Sequence, residues 1–331
     1  MKRQSTDDSM DRRKFLLRTA KAGACITTAC SLSYWLYDST GPDPSQKRGE
    51  IVTLPDFSIP GRGPKMSIVT GGDRIQTVNR GLKAIGGIEA FIKRGDRVLL
   101  KVNAAFATPP ILSATTNPQL LAEVARMCFK AGASSVVVTD NPINDPASCF
   151  SLTGIAQAAT SVGARVLLPK EDFFKPTTVY GGTLIKEWPL LYGPFKDINK
   201  VIGIAPVKDH HRSGASMSMK NWYGLLGGRR NIFHQDIHNT IKELAMMVTP
   251  TLVILDGTTT MMTNGPTGGS LADLRRTNTM IVSTDQVAAD AFGATLLGRT
   301  VAQLPYISKA ESAGLGTADY ASLNPIRESN G

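Results

Sequence analysis

All four histidines of the 331-residue chain fall between positions 210 and 238: His210, His211, His234 and His238. His234 and His238 are four apart, a spacing that on a helix puts both imidazoles on one face, as a metal site requires. His210, or its neighbour Asp209, would complete a divalent metal site from the preceding loop. The same imidazoles suit proton transfer, because histidine titrates nearest neutrality. A purely structural use is also open. Ile237, Ile241, Leu244 and Val248 form an apolar stripe that the two rings would flank.

Between the histidines runs S-G-A-S-M-S-M-K-N-W-Y-G-L-L-G-G-R-R, residues 213–230. Backbone amides of a glycine-rich loop beside Lys220, Arg229 and Arg230 make a cradle for carboxylate or phosphate. The spacing matches neither a P-loop nor a nucleophile elbow. The loop Asn264-Gly265-Pro266-Thr267-Gly268-Gly269 faces a ligand or is plain turn chemistry. Asp285 suits a helix N-cap, and Asp290 one turn further in needs a partner if buried.

These groups need a scaffold, and the pattern supplies one. Short apolar runs at 66–70, 97–103, 135–140, 165–168, 200–207, 251–256 and 279–283 read as strands. Between them helical periodicity covers about 73–93, 117–131, 152–162, 236–248 and 285–297. Continuous apolar strands alternating with helices predict an α/β fold, a mostly parallel sheet with helices on both faces. In such sheets ligands gather at the carboxyl ends of strands. Lys101 and Asn103, Asp140 and Asn141, Lys208 to His211, and Asp256 occupy those ends.

Net charge is +10, of which +3 belongs to residues 1–40 and +7 to the rest. A basic body suits anionic ligands. Basic runs interleaved with aromatics are missing from the sequence, so nucleic acid is not expected as a partner. The four cysteines include no C-x-x-C pair, so no Cys-ligated iron–sulfur cluster is expected. Cys128, in an expected helix, and Cys149, in an expected loop, are either a disulfide or two separate thiols.

The N-terminus reads as an address. Arg12-Arg13-Lys14 precedes Phe15-Leu16-Leu17 and a weakly apolar stretch to Leu36. Paired arginines before such a stretch match a twin-arginine export signal, which moves folded proteins. The expected layout is a signal or anchor over 1–37, a Pro/Gly-broken linker over 38–64 and a body over 65–331, in one piece or as two lobes dividing near 170–200. The expected partners are the twin-arginine machinery and a small anionic ligand. The expected location is the periplasm, or the outer side of the inner membrane if the N-terminus stays as a tether; the aromatic cluster Tyr34-Trp35-Leu36-Tyr37 suits a membrane interface.

Eight stretches carry a resemblance: V-L-L-K-V-N (98–103), T-N-P (116–118), A-G-A-S-S-V-V-V-T-D (131–140), V-K-D-H (207–210), M-K-N-W-Y-G (219–224), L-D-G (255–257), N-G-P-T-G-G (264–269) and D-Q-V-A-A-D (285–290). In this order they resemble the domain of unknown function three-hundred-sixty-two family, including its exported members. The resemblance implies site roles for Lys101, Asn103, His210, Lys220, Asn221, Asp256, Asn264, Gly265, Asp285 and Asp290. Many relatives carry a ferredoxin-like segment, whose Cys repeats this chain lacks.

The expected function is an exported enzyme acting on a small anionic substrate. His210, His234, Lys220 and Asp256 are the catalytic candidates. Lys101, Asn103, Asn221, Arg229, Asn264, Gly265, Asp285 and Asp290 are the ligand-binding candidates, and His210, His234 and His238 the metal candidates. A non-catalytic ligand or metal carrier, and a redox accessory protein, are the alternatives.

Overall fold

The computed structural model describes residues 12–35, 50–61 and 63–329. Two units emerge, residues 1–49 and 50–331. In the first, helix α1 spans Arg12–Trp35, with Phe15, Leu16, Leu17, Ile26, Leu32 and Trp35 exposed. The hydroxyls of Thr19, Thr27 and Thr28 donate back to the carbonyls four residues earlier. Among the described residues no helix is long and apolar enough to cross a membrane. Leu36, Tyr37 and the 38–49 part of the expected linker lie outside the described residues.

The second unit is built on one nine-stranded sheet. Its strands are β1 (Met66–Thr70), β2 (Arg97–Lys101), β3 (Ser135–Thr139), β4 (Arg165–Val166), β7 (Lys200–His210), β8 (Gly214–Ser216), β9 (Leu252–Met261), β10 (Leu274–Ser283) and β11 (Ile326–Ser329). A separate antiparallel pair, β5 (Phe174–Thr177) and β6 (Trp188–Leu191), falls inside 170–200. The sheet order is β11-β1-β10-β9-β7-β2-β3-β4, with β8 folded back on β7. β9, β7, β2, β3 and β4 pair in parallel, while β10 runs antiparallel to both its neighbours. The mostly parallel α/β sheet is thus as the apolar runs predict.

Successive strand residues point to opposite faces, so both faces are apolar and both are covered. Val98 and Leu100 face one core with α2 (Arg74–Ala84), α3 (Pro118–Lys130) and α5 (Ile155–Ser161). Leu99 faces the other, with α7 (Ile237–Met247), α8 (Gln286–Leu296) and α9 (Pro305–Ser312). Two short helices, α4 (Pro146–Leu152) and α6 (Ser218–Asn221), sit in the connections. Residues 50–61 pack on the same body: Phe57 is buried and its amide donates to Thr249 O at 3.0 Å.

Helix starts follow capping chemistry. Asp73, Asn117 and Asp285 accept the first free amides of α2, α3 and α8. Helix ends were harder to read. α2 stops at Ala84 rather than near Lys93, because Gly86 and Gly87 take left-handed φ values of 108° and 78°. β9 and β10 each reach ten residues, since they form an antiparallel ladder beyond the apolar stretch. Cys149 lies on α4, not in a loop, and both Cys128 and Cys149 are buried free thiols.

One buried carboxylate ties the β5–β6 region to the body. Glu243 on α7 accepts from the amides of Thr183 (2.6 Å), Leu184 (3.0 Å) and Ile185 (2.8 Å). Glu243→Ala would leave the buried Ile185 amide, and the half-buried Leu184 amide beside it, without a partner. The expected loss is about 3 kcal/mol of stability, read from urea unfolding.

Candidate functional site

Strand β7 carries the site outward from the core. Lys208 and His210 alternate onto one face, and Asp209 points to the other. Asp209 meets Arg299 Nη2 at 2.6 Å and accepts from Gly265 N at 3.0 Å. This holds the 264–269 loop against the strand end. A methyl group on Gly265 would lie 1.9 Å from Asp209 O, so only glycine permits the approach.

Across the sheet, β2 and β3 end in a buried ion pair. Lys101 Nζ lies 2.7 Å from Asp140 Oδ1 and donates to the carbonyls of Val102 (2.7 Å) and Asn221 (2.9 Å). Asp140 Oδ2 accepts from Ala104 N at 2.6 Å. Asn221 Nδ2 returns to Lys101 O at 3.1 Å. Lys101 and Asn221 therefore satisfy each other inside the protein. A methyl group on Gly224 would fall 2.0 Å from Asp140 Oδ1 and 2.9 Å from Lys101 Nζ, so the M-K-N-W-Y-G stretch must close on a glycine here.

Between these supports lies a cavity of about 420 Å³. Its polar walls are Asn103, Asp140, Lys208, His210, Lys220 and Arg230, with His234 beside them; Phe106, Ile143 and Tyr223 supply apolar surface. Asp140 is the one carboxylate in the wall, and Lys101 already engages it.

Lys208 donates to Ala114 O and sits 5.2 Å from the Phe106 ring centre. Lys220 is different. It is buried, it stands 4.7 Å from the Tyr223 ring centre, and among the described residues its ammonium has no hydrogen-bond or ion-pair partner. Burial lowers both amines to about 7; each is also pushed down by a neighbouring cation, Lys220 for Lys208 and Arg230 for Lys220. Arg230 is anchored by donating to Asn141 O (2.7 Å) and Pro142 O (2.8 Å).

Three imidazoles line the cavity: His211 stacks on His210 with ring centres 5.0 Å apart, while His210 and His234 are held in opposite tautomers. His210 Nδ1 accepts from the amides of Arg212 (3.2 Å) and Ser213 (3.3 Å). Its ring proton is therefore on Nε2, assigned from these donors. Burial, then Lys220, lowers its pKa to about 2, so the ring is neutral. His234 Nδ1 lies 3.0 Å from Tyr223 Oη and 3.3 Å from Asn231 O. The tyrosine hydroxyl donates to Arg230 O, so His234 Nδ1 carries the proton and Nε2 keeps a lone pair. Burial and Lys220 lower His234 to about 4. The rings lie 5.7 Å apart and within 8° of parallel.

The sequence candidates sort themselves by geometry. Lys220, His210, His234, Asn103 and Asn221 reach the cavity, and Arg230 does so while Arg229 is exposed. Asp256 pairs instead with Arg74 at 2.6 Å on α2. Asn264 turns to Asp273 Oδ1 at 2.6 Å, and Asp285 caps α8. Asp290, fully buried on α8, accepts from Ser218 N (2.8 Å), Ser218 Oγ and Met219 N (3.2 Å). It thereby positions the turn that bears Lys220.

His234 and His238 do not share a helix face. His234 belongs to a 3-10 segment, Arg230–Asp236, and α7 begins only at Ile237. His238 stacks on Tyr306 instead, with ring centres 6.2 Å apart. His210 Nε2 is protonated and so is no ligand atom in this tautomer. Among the described residues no group of three His, Cys, Asp or Glu side chains is arranged to hold a metal ion. The three histidines therefore do not fit the expected metal centre.

The chain belongs to the family described as Domain of unknown function (DUF362), whose profile matches residues 98–295. That span contains every cavity residue named above. A relative is the thylakoid-associated protein sll1697 of Synechocystis sp., 26% identical over 258 residues, covering 74% of this chain and 76% of the relative. Among solved structures, the lactate racemase apoprotein of Thermoanaerobacterium thermosaccharolyticum matches 71% of this chain and 57% of its own, at 12% identity and a TM-score of 0.36. A Thermotoga maritima protein matches at 11% identity and a TM-score of 0.32, over 55% of this chain and 50% of its own. At these scores neither structure informs the reaction.

Removing one member of the Lys101–Asp140 pair strands a charge in a dry interior. Asp140→Leu is expected to cost about 3–5 kcal/mol. The double change Lys101→Met with Asp140→Leu is expected to cost less than the two single losses together. A double-mutant cycle by urea unfolding measures the difference.

Proposed function

We propose that the chain is an enzyme of small organic anions and that the cavity beside β7 is its active site. One observation carries the reading: the buried Lys220 ammonium faces the cavity without a partner of its own. Burying an unpaired cation is costly, and an anion seated there offsets the cost. Lys208 and Arg230 add positive charge to the same walls, while Phe106, Ile143 and Tyr223 suit a short carbon skeleton.

The histidines supply the chemistry. His234 Nε2 is a base, and its basicity rises once an anion offsets the repulsion from Lys220. His210 Nε2–H is a neutral donor aimed at developing negative charge, as in an oxyanion hole. The reaction class that uses such a pair is proton transfer next to a carbonyl or carboxylate group.

The test is anion binding against pH, by calorimetry with inorganic phosphate and small carboxylates. Burial depresses the pKa values of both lysines to about 7. An anion favours their charged forms, so binding takes up protons. Affinity is expected to fall as pH rises above about 7, by up to about tenfold per pH unit for each amine. The unliganded protein shows the reverse trend. Its unfolded chain holds these protons up to about pH 10, so stability rises between about pH 7 and 10. Lys220→Met is expected to cost about 2 kcal/mol of binding, roughly thirtyfold, and to flatten the pH slope. Affinity unchanged by Lys220→Met sinks the reading. Binding without turnover, unaffected by His234→Ala, makes the protein a carrier instead.

The address of the enzyme is a second part of the reading: export by the twin-arginine route, to the periplasm or to a tether on the outer side of the inner membrane. Support comes from Arg12-Arg13 at the start of α1 and from its exposed apolar side chains. The thylakoid-associated name of the relative is compatible with a protein that works beside a membrane. Residues 1–37 fused to a reporter that functions only when exported folded are expected to carry it across. Arg12→Lys with Arg13→Lys is expected to abolish transport; undiminished transport removes this part of the reading.

A further inference from the structure

The geometry points to Lys220 as a covalent catalyst, whose amine condenses with the carbonyl carbon of a small 2-oxo acid held in the cavity. This rests on the anion-site reading and adds a nucleophile to it.

The argument begins with what distinguishes Lys220 from the other two buried lysines. Lys101 is committed to Asp140 and to carbonyls of Val102 and Asn221. Lys208 is committed to Ala114 O. Lys220 makes no such bond, and its nitrogen lies over the Tyr223 ring at the cavity wall. An amine without a hydrogen-bond acceptor keeps its lone pair available once it sheds a proton. Its place in the chain is also fixed, because Asp290 clamps the turn at Ser218 and Met219 from inside the core. A nucleophile needs such restraint to approach along one line.

Neighbouring charge acts in the same direction. Arg230 stands close enough to disfavour the ammonium form, and burial does so more strongly. Near pH 7 about half of an amine lowered to this value is neutral, against roughly one in a few thousand for an exposed lysine. A desolvated lysine beside another cation is a recognised way to activate an amine for Schiff-base chemistry.

The step balances without an added reagent. The Lys220 nitrogen bonds to the carbonyl carbon, and the carbonyl oxygen leaves as water. One proton of the neutral amine and one taken up from solvent end on that water, carried by way of His234 Nε2, and the nitrogen keeps its second proton as an iminium. His210 Nε2–H donates to the carbonyl oxygen as negative charge builds on it. Lys208 holds the carboxylate of the oxo acid, Arg230 adds positive charge while its terminal nitrogens stay on backbone carbonyls, and Ile143 and Phe106 border the carbon chain. The resulting iminium draws electrons from the adjacent carbon, whose proton His234 can then accept.

The experiment uses full-length protein incubated with pyruvate and cyanoborohydride at neutral pH, then digestion and mass spectrometry. Hydride reduces the imine to a stable secondary amine on the lysine that formed it. The expected result is an adduct on Lys220 at least about tenfold above any exposed lysine, given the difference in free amine. It is expected to disappear in Lys220→Arg and to weaken in His234→Ala. A thermal-denaturation shift with pyruvate, read on the same samples without reductant, separates the two readings. A shift with no Lys220 adduct overturns the covalent step and leaves the anion site standing. Neither shift nor adduct overturns both. An adduct on Lys208, or spread over surface lysines as in urea-unfolded protein, overturns the assignment to Lys220. If Lys220→Arg fails to fold, loss of the wild-type adduct on saturating the cavity with phosphate serves as the control; an adduct indifferent to phosphate counts against the proposal.

Discussion

The buried contact of Lys101 with Asp140 is the constraint on which the rest of the site depends. It joins the ends of two parallel strands, and Asn221 closes over it from the connection after β8. Taking both charges out of water is expensive, and the surrounding carbonyls and amides lower that cost. Geometry follows from this economy. The backbone at Gly224 has to come within touching distance of the pair, which brings Lys220 and Tyr223 to the cavity edge. A longer side chain at position 224 would push that wall away from the sheet.

The cavity is then a place where positive charge is gathered and negative charge is withheld. Three carboxylates close to it are each occupied elsewhere. Asp140 answers Lys101, Asp209 answers Arg299 and the 265 amide, and Asp290 answers the Ser218 turn. Each does structural work that leaves a lysine or a histidine facing inward. The two imidazoles illustrate how finely backbone can direct chemistry. Two amides on one ring and a tyrosine hydroxyl on the other give identical side chains opposite hydrogen-bonding faces.

Much of the fold could be read from the sequence, because continuous apolar strands and capped helices leave a strong periodic signal. Asp73, Asn117 and Asp285 mark helix starts in the structure as in the sequence. The site was legible in part. His210 stands out by its place after a strand, Lys220 by its glycine-rich loop and His234 by its spacing to His238, and all three line the cavity. Asp256 was misjudged because a strand-end acid looks alike whether it faces a cavity or an arginine such as Arg74. The His234–His238 spacing misleads because it assumes one helix through both rings, whereas the helical periodicity itself starts at 236 and α7 begins at Ile237. Arg229 and Arg230 both stand in the expected cradle, and the sequence alone does not separate them, since adjacent identical residues differ only by which way a short 3-10 turn faces. Gly224 had a usable signal: a glycine flanked by Tyr and Leu has no turn to make and so implies a close approach.

Asp290 gives Lys220 a further property. A side chain held by a loop can retreat from repulsion by letting the loop swing. Lys220 cannot, because its turn is bolted through Asp290 to a helix in the middle of the core. The chain is therefore frustrated at this spot, keeping a cation at a cavity wall beside Arg230 and away from any carboxylate partner among the described residues. Selection for stability alone would erase such a feature with a single change to methionine. Methionine at this position would remove the conflict and keep the packing against Tyr223.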